Sequence, residues 1–145
     1  MKKFVGVSML MAVLLPSIAL VAHHAFAAEF DLQTVGTIRG VVTRVRWVKP
    51  HPYILLDVRN DRGTVEPWYI EGSNTRILEQ AGWSATTLKA GETISTCGYL
   101  NRPDVSLSLP TGVVATRAQV GITVTLADSR QLPFQAVGRD CSPNR

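Results

Sequence analysis

The sequence predicts an all-β domain with one short helix. Five segments between turn signals have strand-like composition, the first of them is long and changes face midway, and one helical stripe lies between the third and fourth. A period of two is typical of half-buried strands, and apolar residues three or four apart are typical of a helix. We interpret this order as a five-stranded OB-like Greek-key barrel, with a small β-sandwich as the alternative.

The first predicted strand, Val35–Val48, is rich in β-branched residues. Val41, Val45 and Trp47 share one parity, but the apolar face changes near Gly40. A change of face inside one strand is typical of a β-bulge. We therefore expect a long, bent first strand.

The second and third strands, Tyr53–Arg59 and Thr64–Glu71, are separated by the turn sequence Asn-Asp-Arg-Gly. This arrangement predicts a hairpin. Pro67 cannot donate a backbone hydrogen bond, so we expect a free edge near it in the third strand.

A short helix is predicted over Thr75–Ala81, because Asn74 can cap its start and Gly82 suits the position after its end. Two more strands follow, Glu92–Leu100 and Ala118–Leu126. The last strand alternates so regularly that we expect its apolar residues to share one buried face.

Residues 1–22 have the composition of a cleavable signal peptide. Two lysines precede an uncharged apolar run that ends at Ala22, as in secretory leaders. Cleavage after Ala22 would make His23 the new N-terminus, whereas cleavage after Ala27 fits the small-residue rule better, and the local rule leaves both open. We expect a periplasmic protein, with a retained membrane anchor as the alternative.

The predicted mature chain divides into three parts. Residues 23–34 form an extended N-terminal segment, residues 35–130 the barrel, and residues 131–145 a C-terminal tail. Cys97 and Cys141 are the only two cysteines, and in an oxidising compartment an even count predicts a disulfide. That bond would tie the tail to the barrel.

The charge balance restricts the partners. Removing the two leader lysines from 15 Lys and Arg residues leaves 13 against 11 acidic residues, a net charge of +2. Strong binding to a polyanion is not expected at this charge, which argues against nucleic acid. We expect no membrane association after leader cleavage, and the expected partner is an unknown small molecule or a periplasmic protein.

Three residues are candidates for binding a ligand: Trp47, His51 and Trp68. His51 lies between two prolines, which hold its backbone in few conformations. The two tryptophans could stack on a planar ligand, although core packing is the commoner role for such residues. The acidic residues and serines show no catalytic spacing or motif, so no enzymatic activity is predicted.

These residues favour a small exported binding or accessory module whose ligand is unknown. A copper site is the alternative function. If cleavage follows Ala22, His23 offers its α-amine and imidazole to one ion, and His24 or His51 could add a third nitrogen. Such nitrogen ligands suit Cu(II). Copper is the one cofactor that the pattern suggests. The competing interpretation makes His51 a loop residue bonded to backbone.

Several motifs resemble a functionally uncharacterised family of short exported bacterial proteins. The family has a His-His-Ser-Phe start and a Trp-x-Asn-Pro-His motif, which correspond here to residues 23–26 and 47–51. This chain has Ala25 in place of Ser, Lys49 in place of Asn, and Ser129 in place of a later Gly. The resemblance implies that the histidine pair belongs to the mature protein, which favours cleavage after Ala22.

Overall fold

The computed structural model describes residues 27–136 and Cys141. Residues 27–29 are helical, and none of the helices in this part of the chain is long and apolar enough to cross a membrane. The remaining elements, in chain order, are β1 (Phe30–Arg46), β2 (Tyr53–Arg59), β3 (Val65–Glu71), α1 (Thr75–Gln80), β4 (Thr93–Asn101), β5 (Arg117–Thr125) and β6 (Gln131–Pro133).

Five of the strands close into a barrel. The sheet order is β3-β2-β1-β4-β5, and β3 also pairs in parallel with β5, which joins the two ends of the sheet. The prediction of a mostly β fold with a five-stranded barrel is therefore confirmed. Its OB-like Greek-key detail stays a prediction. The sequence does not predict β6. This strand pairs with the second half of β5, after the residues of β5 that pair with β3.

β1 is the longest strand and serves both neighbours. Its first part pairs with β4 and its second part with β2, and the register with β2 shifts between Val42 and Arg44. The bulge thus lies close to Gly40, where the sequence predicts it. At Gly40 itself a Cβ atom would lie 2.7 Å from the carbonyl oxygen of Asp57, so the neighbouring strand approaches too closely for a side chain.

β3 carries its proline where one edge is free of strand pairing. Pro67 is paired with Asp57 of β2, whereas the contact with β5 begins one residue later, at Trp68. The edge is not free at the proline itself, because the backbone N–H of Thr116 donates to the Pro67 carbonyl at 2.9 Å. The free edge that the sequence predicts is therefore wrong at Pro67, which fits because its missing N–H falls just before the β5 ladder begins.

The main core fills the barrel. All five barrel strands contribute apolar side chains to it, and Leu78 of α1 and Trp83 pack against the same cluster. Phe134, which follows β6, is fully buried there and packs directly over Gly72 and Gly121. Trp83 is fixed by a hydrogen bond of 2.7 Å from its Nε1 to the carbonyl of Pro133.

A second apolar cluster covers part of the outer face of the barrel. It is built from Phe30, Tyr53, Tyr69, Ala118 and Val120. The segment between β4 and β5 packs over these residues with four partly buried side chains, Leu107, Leu109, Val113 and Ala115. This segment therefore shields an outer face that would otherwise expose aromatic rings to water.

β5 contributes to both clusters because its register with β4 shifts between Cys97 and Gly98. Val120 belongs to the outer cluster and Val124 to the inner core, so the prediction of one apolar face along this strand is wrong. The shift turns Gln119 inward, where it is fully buried.

The buried Gln119 is matched by polar partners inside the barrel. Its Oε1 accepts a hydrogen bond of 2.6 Å from the Thr96 hydroxyl, and its Nε2 donates one of 2.8 Å to the carbonyl of Gly36. Buried amides cost free energy unless they are bonded in this way. The network links β1, β4 and β5.

The helix begins as the sequence predicts. The Asn74 side chain accepts a hydrogen bond of 3.0 Å from the backbone N–H of Ile77, which caps the first turn. Gly82 follows the helix with a φ of +93°, a conformation that glycine adopts without steric cost.

The ends of the barrel differ from the expected domain limits. Phe30 is buried and pairs with Asn101, so β1 begins inside the segment 23–34. At the other end, β6 lies inside the range 131–145. Cys97 and Cys141 lie at disulfide-bonding distance, with 6.0 Å between their Cα atoms, as the sequence predicts.

Candidate functional site

His51 is held against the end of β3 by two hydrogen bonds. The backbone N–H of Gly72 donates to the Pro52 carbonyl at 2.9 Å, and the His51 Nδ1 lies 3.0 Å from the Gly72 carbonyl oxygen. The Lys49–Pro50 peptide bond, just before the histidine, is cis. The loop between β1 and β2 is thus anchored to Gly72 through both His51 and Pro52.

The contact with Gly72 assigns the tautomer of His51. A carbonyl oxygen can only accept, so Nδ1 carries the proton, and the neutral ring has its lone pair on Nε2. The side chain is 48% exposed. His51 therefore presents a basic nitrogen to solvent from a fixed position.

Glu71 lies beside this imidazole. Its Oε1 is 3.8 Å from the His51 Nδ1, and its Oε2 accepts a hydrogen bond of 3.4 Å from the Tyr69 hydroxyl. Burial raises the pKa of Glu71, while His51 and the Tyr69 hydroxyl oppose that effect and Glu29 adds to it. The pKa of Glu71 is thus affected by side chains from three separate stretches of chain.

Tyr69 joins this site to the outer apolar cluster. Its ring lies 5.1 Å from the Tyr53 ring, measured between centroids. Burial, followed by the neighbouring Glu71 carboxylate, raises the pKa of its hydroxyl. The hydroxyl therefore stays protonated and acts as a hydrogen-bond donor to Glu71.

Of the candidates that lie in the described part of the chain, His51 is the most exposed. Trp47 is half-buried against the barrel core, and Trp68 is buried in it, with 6% of its surface exposed. His23 and His24 lie outside the described residues. Within residues 27–136 and Cys141, no group of three or more His, Cys, Asp or Glu side chains could hold a metal ion.

Glu71 and Tyr69 are not among the residues that the sequence suggests for the site. The hairpin pairs Tyr53 of β2 with Glu71 of β3, which places the loop before β2 beside the end of β3, and the hydrogen bonds around Gly72 hold it there. Two signals in the sequence point to this placement: the predicted hairpin, and the alternation that puts Tyr69 and Glu71 on the same face of their strand.

Trp68 has a different neighbour. The guanidinium carbon of Arg117 lies 5.2 Å from the centroid of its ring, and Arg117 also donates from Nε to the Asn101 Oδ1 at 3.1 Å. Arg117 and Asn101 line a cavity of about 420 Å³ where β4 ends and β5 begins. No sequence motif indicates this cavity.

Most of the chain matches one protein family. The model of DUF6152, described as a family of unknown function, matches residues 11–108. The chain belongs to this family. No curated protein matches the sequence. Membership in DUF6152 confirms that the chain is part of an uncharacterised family, and it assigns neither a ligand nor an activity.

Proposed function

We propose that this DUF6152 protein is an exported small binding or accessory module whose ligand contacts His51. The basic and apolar leader sequence supports export. The cysteine pair at disulfide-bonding distance is also typical of an oxidising compartment such as the periplasm. The ligand is a small molecule or a periplasmic protein.

The observation that carries this proposal is the fixed orientation of His51. A binding group gains affinity when its geometry is set before the ligand arrives, because less conformational entropy is lost on binding. The hydrogen bond from Nδ1 to Gly72 fixes the ring, and the neighbouring Glu71 adds an acceptor.

Cu(II) is the second candidate ligand, and the same hydrogen bond favours it. Histidines that bind metals usually donate their other ring N–H to a carbonyl or carboxylate, which orients the ring. His51 has this arrangement. A protein that begins at His23 would add an amine and a second imidazole.

The distance along the chain allows this assembly. Glu29 acts electrostatically on Glu71, and its side chain accepts a hydrogen bond from Ser108. Glu29 follows His23 by six positions in the sequence, and residues 27–29 are helical. Four extended steps reach about 13 Å and two helical steps add about 3 Å. The N-terminus could therefore reach the imidazole of His51.

The experiment begins with the intact mass of the exported protein, which identifies its N-terminus. Cu(II) is then titrated into the natural protein, His51→Ala, and a form with one residue added before His23. Each change is expected to weaken Cu(II) binding at least about tenfold, because each removes a ligand atom. Binding should also weaken on acidification, since protonated nitrogens do not bind metal.

Two controls distinguish the candidates. His23→Ala, His24→Ala protein should keep its metal-free melting temperature while it loses Cu(II) binding. A ligand other than metal should instead change tryptophan fluorescence in the presence of EDTA. If natural protein beginning at His23 binds Cu(II) no better than this double variant, the copper proposal is wrong.

A further inference from the structure

The cavity between the end of β4 and the start of β5 is distinct from the His51 surface. It is lined by Leu100, Asn101, Arg102 and Val105, by Asp31 and Asp104, and by Arg117. Its volume of about 420 Å³ is in the range of small-molecule sites. His51, Tyr69 and Glu71 are not among its lining residues.

Arg117 is fixed in place from two sides. Asn101, which is buried, accepts from the Arg117 Nε at 3.1 Å and from the backbone N–H of Ala118 at 3.0 Å through the same oxygen. The Asn101 amide group donates in turn to the Arg102 carbonyl at 3.0 Å. On its other side, the guanidinium lies over the Trp68 ring.

The outer edge of this guanidinium is unused. Within the described part of the chain, neither Nη1 nor Nη2 of Arg117 has a hydrogen-bond partner, and Arg117 forms no salt bridge. The parallel N–H groups of a guanidinium match the two oxygens of a carboxylate. Because its orientation is already fixed, Arg117 would lose little entropy on binding one.

A second unpartnered donor lies next to Arg117. The Trp68 Nε1 is the only buried side-chain nitrogen or oxygen in residues 27–136 and Cys141 that lacks a hydrogen-bond partner. Trp68 does not itself line the cavity, so its ring meets the site through Arg117. Trp68 is 6% exposed, and Arg117 covers its ring.

The other side chains of the cavity restrict the charge and polarity of the ligand. Leu100 and Val105 offer apolar surface, and the two aspartates balance the two arginines in charge. One Asp31 oxygen already accepts from the backbone N–H of Gln33 at 2.9 Å, and Asp104 is exposed. A multiply charged anion is therefore disfavoured relative to a single carboxylate on an apolar body.

We propose that this cavity binds a small molecule that carries a carboxylate. The Nη1 and Nη2 groups of Arg117 donate hydrogen bonds to the two carboxylate oxygens. The apolar part of the ligand lies against Leu100 and Val105. Trp68, one of the residues that the sequence suggests for ligand binding, reports on the site through the guanidinium above its ring.

Sodium butyrate is the probe, titrated into the exported protein with EDTA present and followed by calorimetry and tryptophan fluorescence. We expect saturable binding of butyrate and none of butyramide, which has the same shape without the charge. Arg117→Lys should weaken butyrate binding about tenfold or more, because it keeps the charge and loses the paired N–H groups. Arg102→Lys, the matched control at the same cavity, should change the affinity less than about twofold, because no paired contact is assigned to it.

Three outcomes would overturn the proposal. They are no saturable butyrate binding by the natural protein, equal binding of butyrate and butyramide, or equal competition by inorganic phosphate. The first two need no variant, so they decide the matter even if Arg117→Lys does not fold. Since His51→Ala should bind butyrate normally, failure here and failure of the His51 proposal are separate results.

Discussion

At the scale of single residues, Glu71 occupies an environment that opposes its ionisation. Burial raises the pKa of its carboxyl above the ordinary value of 4.5, and the nearby His51 and Tyr69 hydroxyl only partly offset that effect. The folded protein therefore holds this proton more tightly than the unfolded chain does. The stability that this proton contributes is present at low pH and is lost as the pH rises through the folded pKa.

Glu71→Gln should accordingly be stabilising at neutral pH, because the amide keeps an acceptor for the Tyr69 hydroxyl without a buried charge. We expect the variant to melt at a higher temperature than the natural protein at about pH 7, and the difference to shrink towards zero below about pH 4. Thermal unfolding in EDTA across this range measures it. Glu79→Gln, an exposed position on α1, is the control, and a pH-independent difference at Glu71 would contradict the assignment.

The site shows which residues a sequence can reveal. The prolines on either side of His51 are adjacent to it in the chain, so the sequence alone indicates a rigid histidine. Glu71 is remote from His51 in the chain, and the register of the hairpin, in which Tyr53 faces Glu71, brings the two together. The contacts of Trp68 depend on which face of that hairpin lies in the core. Trp68 resembles a ligand-stacking residue in sequence, but it faces the core because it pairs with Leu56 on the inner side of the hairpin.

At the scale of elements, the backbones of β4 and β5 approach each other very closely at Gly98. A Cβ atom on Gly98 would lie 2.0 Å from the Val120 carbonyl oxygen, and the register shift falls directly beside it. The two nearest atoms belong to the Val120 backbone, which cannot move aside as the end of a flexible side chain would. The shift and the glycine therefore depend on each other.

Gly98→Ala should lower the free energy of unfolding by roughly 3 kcal/mol or more, in the range of severe overpacking. Gly63→Ala is the matched control, since nothing lies within 4 Å of its Cβ position and only its φ of +78° is unfavourable. That change should cost about 1–2 kcal/mol. Urea unfolding of both variants tests this, and equal losses would refute the role of close approach.

Most element positions are predictable because they depend on local pattern. β2 spans Tyr53–Arg59 as expected, and α1 starts at Thr75 because Asn74 caps it. β6 is not predicted, because three residues are too few to show an alternation of apolar and polar side chains. The face change in β5 escapes it because only the register with β4 reveals that change.

At the scale of the whole molecule, the cysteine pair joins the last residues to the middle of the barrel. Cys97 and Cys141 are 44 residues apart in the sequence. In the chain-entropy model, closing a loop of this length stabilises the folded protein by about 4 kcal/mol, because the unfolded chain loses conformations.

Reduction should therefore lower the free energy of unfolding by about 4 kcal/mol, measured by urea unfolding with and without reductant. Cys141→Ser is the control, because its stability should not respond to reductant. Titration of unreduced, unfolded natural protein should find no free thiol. Two reactive thiols would show that the bond does not form.

The strand pairings that close the barrel have a consequence for the timing of its maturation. Gly36 pairs with Gly98, and Tyr69 pairs with Ala118, so closure requires contacts that are remote in sequence. Such contacts form slowly, in milliseconds to seconds. Under the proposed export, β1, β2 and β3 would emerge first and wait for β5 with their apolar faces uncovered. The length of this interval is set by the arrival of β5.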